Sequence, residues 1–89
     1  MNLAPESIID DIKAQVVRIA QRLDCDAGEL QSDELIPASG FIDSAGLLEL
    51  IAWFEAAYDL SIPPPDLTID NLGTMKAMAD YVRRRKGLA

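Results

Sequence analysis

Asp43-Ser44 is the one place in these 89 residues where side-chain types and spacing point to chemistry: a hydroxyl beside a carboxylate, at the start of a long apolar run. A helix opening there would offer unpaired N–H groups and the positive end of its dipole, a setting that favours an anion such as a phosphodiester. The hydroxyl would sit at the end of a long loop, within reach of a modifying enzyme. Asp43 could help hold a metal-bound phosphate donor during that modification. A serine so placed is better suited to receive a phosphorylated group than to attack a substrate, because the chain has no histidine to act as its base. The plainer alternative is that the pair is only a helix cap, since aspartate and serine both cap well.

The other candidates fail on spacing. Gly40 to Ser44 is not a nucleophile elbow, which needs glycine two residues before the serine, where Ile42 stands. A calcium loop opening at Asp24 would need glycine where Glu29 stands and a closing glutamate where Leu35 stands. One cysteine without histidine builds no zinc site of the usual kind, so no metal site is expected. Cys25 lies between Asp24 and Asp26, where nothing activates a thiol, and is read as incidental. Trp53 is read as packing or docking surface.

Charge narrows the function classes further. The chain carries 15 acidic and 8 basic side chains, a net charge of −7, which disfavours nucleic-acid binding and points to basic partner surfaces. The charge is uneven. Residues 1–43 hold nine acids and three bases, residues 44–70 five acids and no base, and residues 71–89 one acid and five bases. The basic run Arg83-Arg84-Arg85-Lys86 reads as a helix end, where cations meet the negative pole of the dipole. No apolar run approaches the roughly 20 residues that span a bilayer, and no cationic region precedes an apolar one at the N-terminus. A lone cysteine fits a reducing compartment, and a cytoplasmic protein without membrane association is expected. The length and the 49% apolar composition suit one globular domain, 1–89.

Helical periodicity accounts for most of the chain. Pro5 opens an amphipathic helix, about Glu6 to Leu23, with Ile8, Ile12, Val16, Ile19 and Leu23 on one stripe. Residues 24–43 have no sustained period and read as a long loop pinned by Leu30, Leu35, Ile36 and Phe41. A second helix runs from Asp43 or Ser44 to Tyr58. Its core face is Leu47, Leu50, Ile51, Phe54 and Tyr58, yet Ala45, Leu48, Ala52 and Trp53 are apolar off that face. A domain this small cannot surround a helix, so the outer stripe is expected to meet a partner. Pro63-Pro64-Pro65 is a stiff extended entry, Asp66 is expected to cap a short helix to Leu72 with Leu67, Ile69 and Leu72 inward, and Thr74 to cap a last helix. The expected architecture is all-α: three main helices plus a short one, with a long loop between the first two.

Gly40-Phe41-Ile42-Asp43-Ser44, Leu47-Leu48-Glu49-Leu50-Ile51 and Phe54-Glu55-Ala56-Ala57-Tyr58-Asp59-Leu60-Ser61-Ile62-Pro63, with Asn71-Leu72-Gly73-Thr74-Met75 later, together resemble an acyl carrier protein. The similarity covers nearly the whole chain. It implies an acyl-carrier-like bundle and 4′-phosphopantetheine, drawn from coenzyme A and attached covalently to Ser44, with Asp43 in support. The arm's thiol would hold an acyl, aminoacyl or peptidyl group as a thioester, shuttled between enzymes without catalysis by the carrier. Ala45, Leu48, Glu49, Ala52 and Glu55 match the family's partner-docking positions. Implied partners are a phosphopantetheinyl transferase, an acyl- or aminoacyl-loading ligase or acyltransferase, and downstream biosynthetic enzymes, met by a free-standing monomer. Two departures stand out. Ala45-Gly46 replaces the usual Leu or Met after the serine, and Gly46 costs a helix roughly 1 kcal/mol against alanine. Gly46, Ala56 and Ala57 also thin the acidic row, which suggests a specialised polyketide or nonribosomal-peptide pathway and docking led by apolar contact. The rival readings are a small helical adaptor, in which Ser44 is only a cap, and a degenerate carrier that is never modified.

Overall fold

The computed structural model describes residues 3–88, and among these the regular structure is entirely helical. The first helix, α1, spans Pro5–Arg22, with Pro5 in its first turn, where a missing N–H costs nothing. Ile8, Ile12, Val16 and Ile19 recur at three- and four-residue steps and are all buried. The helix ends within a residue of the expected point, and Asp24 then turns the chain in a left-handed conformation, φ 58°.

The 24–43 segment is a self-packed connection, not a structureless one. Ala27 and Leu30 are buried, and the Asp26 carboxylate accepts from the Gly28 N–H at 2.9 Å. It also contains a one-turn helix, α2, Ile36–Ser39, absent from the periodicity reading because four residues cannot display a period. Its signals are local: Pro37 in the first turn, and Gly40 after it at φ 79°. Ile36 is buried and its N–H donates to the Gly73 carbonyl at 2.8 Å, while the Lys76 N–H donates to Ser32 O at 2.9 Å. Of the four anchors expected in this loop, Leu30 and Ile36 are buried and Phe41 is half-buried, whereas Leu35 is exposed.

Helix α3, Ser44–Ala57, lies against α1. Leu50, Phe54 and the following Tyr58 are buried, Leu47 and Ile51 are half-buried, and the Phe54 and Tyr58 rings meet at 5.5 Å in an edge-on arrangement. The short helix expected from Asp66 to Leu72 is divided. A 3-10 turn occupies Pro64–Asp66, and α4 spans only Ile69–Leu72, capped by Thr68, whose hydroxyl accepts from the Asn71 N–H at 3.3 Å. Asp66 is not the cap, because its carboxylate accepts instead from the buried Tyr81 hydroxyl at 2.7 Å. Leu67 and Ile69, expected to point inward, are exposed, and only Leu72 joins the core.

Helix α5, Met75–Arg85, begins at Thr74, whose hydroxyl accepts from the Ala77 N–H at 2.9 Å. It packs on α1 and α4 through Met75, Met78, Ala79 and Val82. Three long helices, α1, α3 and α5, thus share one apolar core, and α2 and α4 join their ends in an acyl-carrier-like bundle. No described helix is long and apolar enough to cross a membrane.

Candidate functional site

The chain turns at Gly40, buries Ile42, and presents Asp43 and Ser44 exposed at the start of α3. Sequence alone left the cap open between these two residues. Asp43 takes it: its Oδ1 accepts from the Gly46 N–H at 2.8 Å, and its carbonyl accepts from Leu47 N–H at 2.9 Å. Ser44 is therefore the first helical residue. Among the described residues nothing hydrogen-bonds its hydroxyl, and the N–H groups of Ser44 and Ala45 have no partner. A serine serving only as a cap would have its oxygen occupied by a backbone N–H.

Gly46 owes its place to packing. A Cβ there would lie 2.9 Å from Ile19 Cγ2 and 3.2 Å from Ile42 Cβ. Ile19 is buried and β-branched, so its methyl cannot swing aside without moving the stem. The residue that looked like a helix-weakening departure lets the first turn of α3 close onto α1.

Two clefts border the site and share Asp43. One, of about 250 Å³, is lined by Pro37, Ile42, Asp43, Ser44 and Leu47. The other, of about 240 Å³, lies between α1 and α3 and is lined by Ile19, Arg22, Leu23, Asp43, Ala45, Gly46 and Glu49. Arg22 and Glu49 form an ion pair across it. The Arg22 hydrogen bond holds the Glu49 carboxyl below the usual carboxylate range, and Arg22 is raised in return. The sequence reading gave Arg22 no role. Its one signal was a base in the last turn of α1, a common place for a cation.

The five positions on the outer stripe fall into two groups. Ala45, Leu48 and Ala52, at i, i+3 and i+7, are exposed together, Leu48 at 68%. Glu49 and Glu55 each have an internal partner: Glu49 pairs with Arg22, and a Glu55 carboxylate oxygen accepts from the Ile62 N–H at 2.8 Å. Trp53 is half-buried and meets the Tyr58 ring edge-on at 5.9 Å. Cys25 is half-buried, with its thiol directed at the Leu23 carbonyl, 3.5 Å away.

An open serine hydroxyl, a helix end with unpaired N–H groups and a cap supplied by the neighbouring residue together suit a covalently attached phosphodiester. Comparison with known proteins agrees. The family model described as "Phosphopantetheine attachment site" matches residues 16–82. A D-alanyl carrier protein of Streptococcus sanguinis is 32% identical over 73 residues, covering 81% of this chain and 91% of its own. D-alanyl carrier proteins of Streptococcus thermophilus and Streptococcus gordonii are each 30% identical over the same shares. No solved structure matches the chain. A family match over most of the chain, on a helical bundle that leaves one serine open at a helix start, makes this chain a member of the phosphopantetheine-binding carrier proteins, whose prosthetic group is a covalently attached 4′-phosphopantetheine.

Proposed function

We propose that Ser44 is the residue that carries the arm, and that the chain presents an aminoacyl group to successive enzymes without catalysing their reactions. The observation that carries the first part is the unbonded, exposed Ser44 hydroxyl beside a cap made by Asp43. The bound arm supplies a thiol on which a substrate is held as a thioester. Ser44 Oγ becomes the protein-side oxygen of the diester, and the unpaired N–H groups at the start of α3 favour the negative charge placed beside them. Asp43 keeps the first turn wound while its neighbour is modified. Its second carboxylate oxygen has no partner among the described residues and is open to a metal-bound donor in the transferase complex.

An aminoacyl cargo is favoured among acyl, aminoacyl and peptidyl groups by the relatives, which are named for D-alanine. The polyketide or nonribosomal-peptide setting has the thinned acidic row in its support, and that row is thinner still once Glu49 and Glu55 have internal partners. The partners in this reading are a phosphopantetheinyl transferase and an aminoacyl-loading ligase, met through the exposed stripe Ala45, Leu48 and Ala52.

Incubation with coenzyme A and a broad-specificity phosphopantetheinyl transferase, followed by intact-mass measurement and peptide mapping, tests the attachment. One adduct on the Ser44 peptide, lost in a folded Ser44→Ala variant, is the expected result. An adduct on another residue, or none on folded protein, overturns the assignment.

A further inference from the structure

We propose that Arg22 is the counter-ion of the phosphodiester on Ser44, and that attachment of the arm draws it away from Glu49. The proposal rests on Ser44 as the attachment point. Ser44 lines one of the two clefts that meet at Asp43; Arg22 lines the other, together with Asp43 and Ala45, the residues on either side of Ser44, and is the only base among the described residues lining either cleft. Residues 44–70 contain no base at all. Modification therefore adds an anion next to Asp43, in a chain already at −7, and Arg22 is the base that lines the adjoining cleft, while Arg18, the other base facing Glu49, is bonded to Gln15. The basic end of α5 is held elsewhere. Arg83 donates to the Leu3 and Leu88 carbonyls, Arg84 to Asn71, Arg85 to Tyr81 and Ser61, and Lys86 to Asp59.

The ion pair that Arg22 would leave is weakly held. Its side chains are 56% and 41% exposed, and an exposed pair of this kind contributes little. The route is short. Glu49 and Ala45 are one turn apart on the same face of α3, about 5–6 Å, and both line the cleft that holds Arg22. A guanidinium also meets a phosphate oxygen pair as readily as a carboxylate. Asp43 does not compete equally, since one of its oxygens is committed to the Gly46 N–H. The consequence for partners is direct: the unmodified protein pairs the Glu49 charge with Arg22, and the modified protein leaves it unpaired on the docking helix.

The charged groups facing Glu49 are Arg22 and Arg18 of α1, with Asp43 across the same cleft, so the carboxyl titration of Glu49 reports the exchange. The experiment follows Glu49 by carboxyl carbon NMR in unmodified and modified protein, for wild type and Arg22→Gln, with mass measurement confirming the adduct first. In wild type, Glu49 is expected to titrate low before modification and to return to the ordinary glutamate range after it. In Arg22→Gln it should be ordinary before modification and shift much less. The diester phosphorus resonance should also move on Arg22→Gln substitution. An unchanged Glu49 titration in modified wild type overturns the proposal. An equal shift in Arg22→Gln also overturns it, because the diester's own field would then explain the change. Absence of the adduct on folded protein instead removes Ser44 as the attachment point, and this proposal with it.

Discussion

Asp43 and Ser44 look interchangeable on paper, and the fold gives them opposite tasks. The Asp43 carboxylate closes the first turn of α3, and the Ser44 hydroxyl has no partner among the described residues. Ser44→Ala should therefore leave the urea midpoint nearly unchanged, within about 0.5 kcal/mol of wild type, while abolishing arm attachment. Asp43→Ala should lose about 1 kcal/mol of stability in the same measurement. The reverse order would restore the reading of Ser44 as a cap. Gly46 is the second residue where chain and fold disagree. Helix propensity alone says that Gly46→Ala gains about 1 kcal/mol. A methyl 2.9 Å from the buried Ile19 side chain costs about 1–3 kcal/mol by overpacking. The second effect is the larger, so Gly46→Ala should lower the unfolding midpoint. The serine was legible because its residue type and the loop before it were visible. The glycine's purpose was not, because the methyl that excludes a side chain belongs to a residue 27 positions earlier.

The long helices and the short ones differ in how readily a sequence declares them. α1, α3 and α5 repeat an apolar stripe over several turns, and their expected limits fall within a residue or two of the observed ones. α2 and α4 have four residues each and are held by contacts from outside themselves. Ile36 donates to Gly73, and Asn71 donates its side-chain amide to the Asp66 carbonyl at 3.1 Å. The Asp66 carboxylate, Tyr81 hydroxyl and Arg85 guanidinium form a chain of bonds, each 2.7 Å, that ties the proline-rich turn to α5. That chain is why Asp66 caps nothing. Tyr81→Phe should cost about 1.5–3 kcal/mol, as expected for losing a hydrogen bond to a charged acceptor. It should also speed hydrogen exchange of α4 amides more than those of α1. Equal acceleration in both helices would mean that the network does not specifically hold α4.

At the scale of the molecule, the basic C-terminal run does more than face a helix dipole. Its side chains reach carbonyls and hydroxyls of the N-terminal segment and of residues 59–81, drawing the most basic part of the chain across elements that carry little positive charge. Titration across the core also shapes stability. Burial, then the Asp11 carboxylate to which it donates, push the Tyr58 phenol well above its ordinary value of 10.0. The fold thus prefers the neutral phenol. Its contribution is complete below about pH 10 and is lost as the pH rises through the folded value. Between pH 8 and pH 11 the urea midpoint of wild type should fall more steeply than that of Tyr58→Phe. Parallel declines would show that the phenol does not set the alkaline limit.

The sequence by itself determined the all-helical class, the three long helices and the serine that opens the second of them. Each of these depends on residue type and spacing within a few turns. Tertiary structure decided which of Asp43 and Ser44 caps, why Gly46 is required, that Leu67 and Ile69 stay outside, and that Arg22 meets Glu49 across the cleft lined by Asp43 and Ala45. Those outcomes depend on side chains from α1, α3, α4 and α5 arriving at one place, and their distances exist only once the helices have packed.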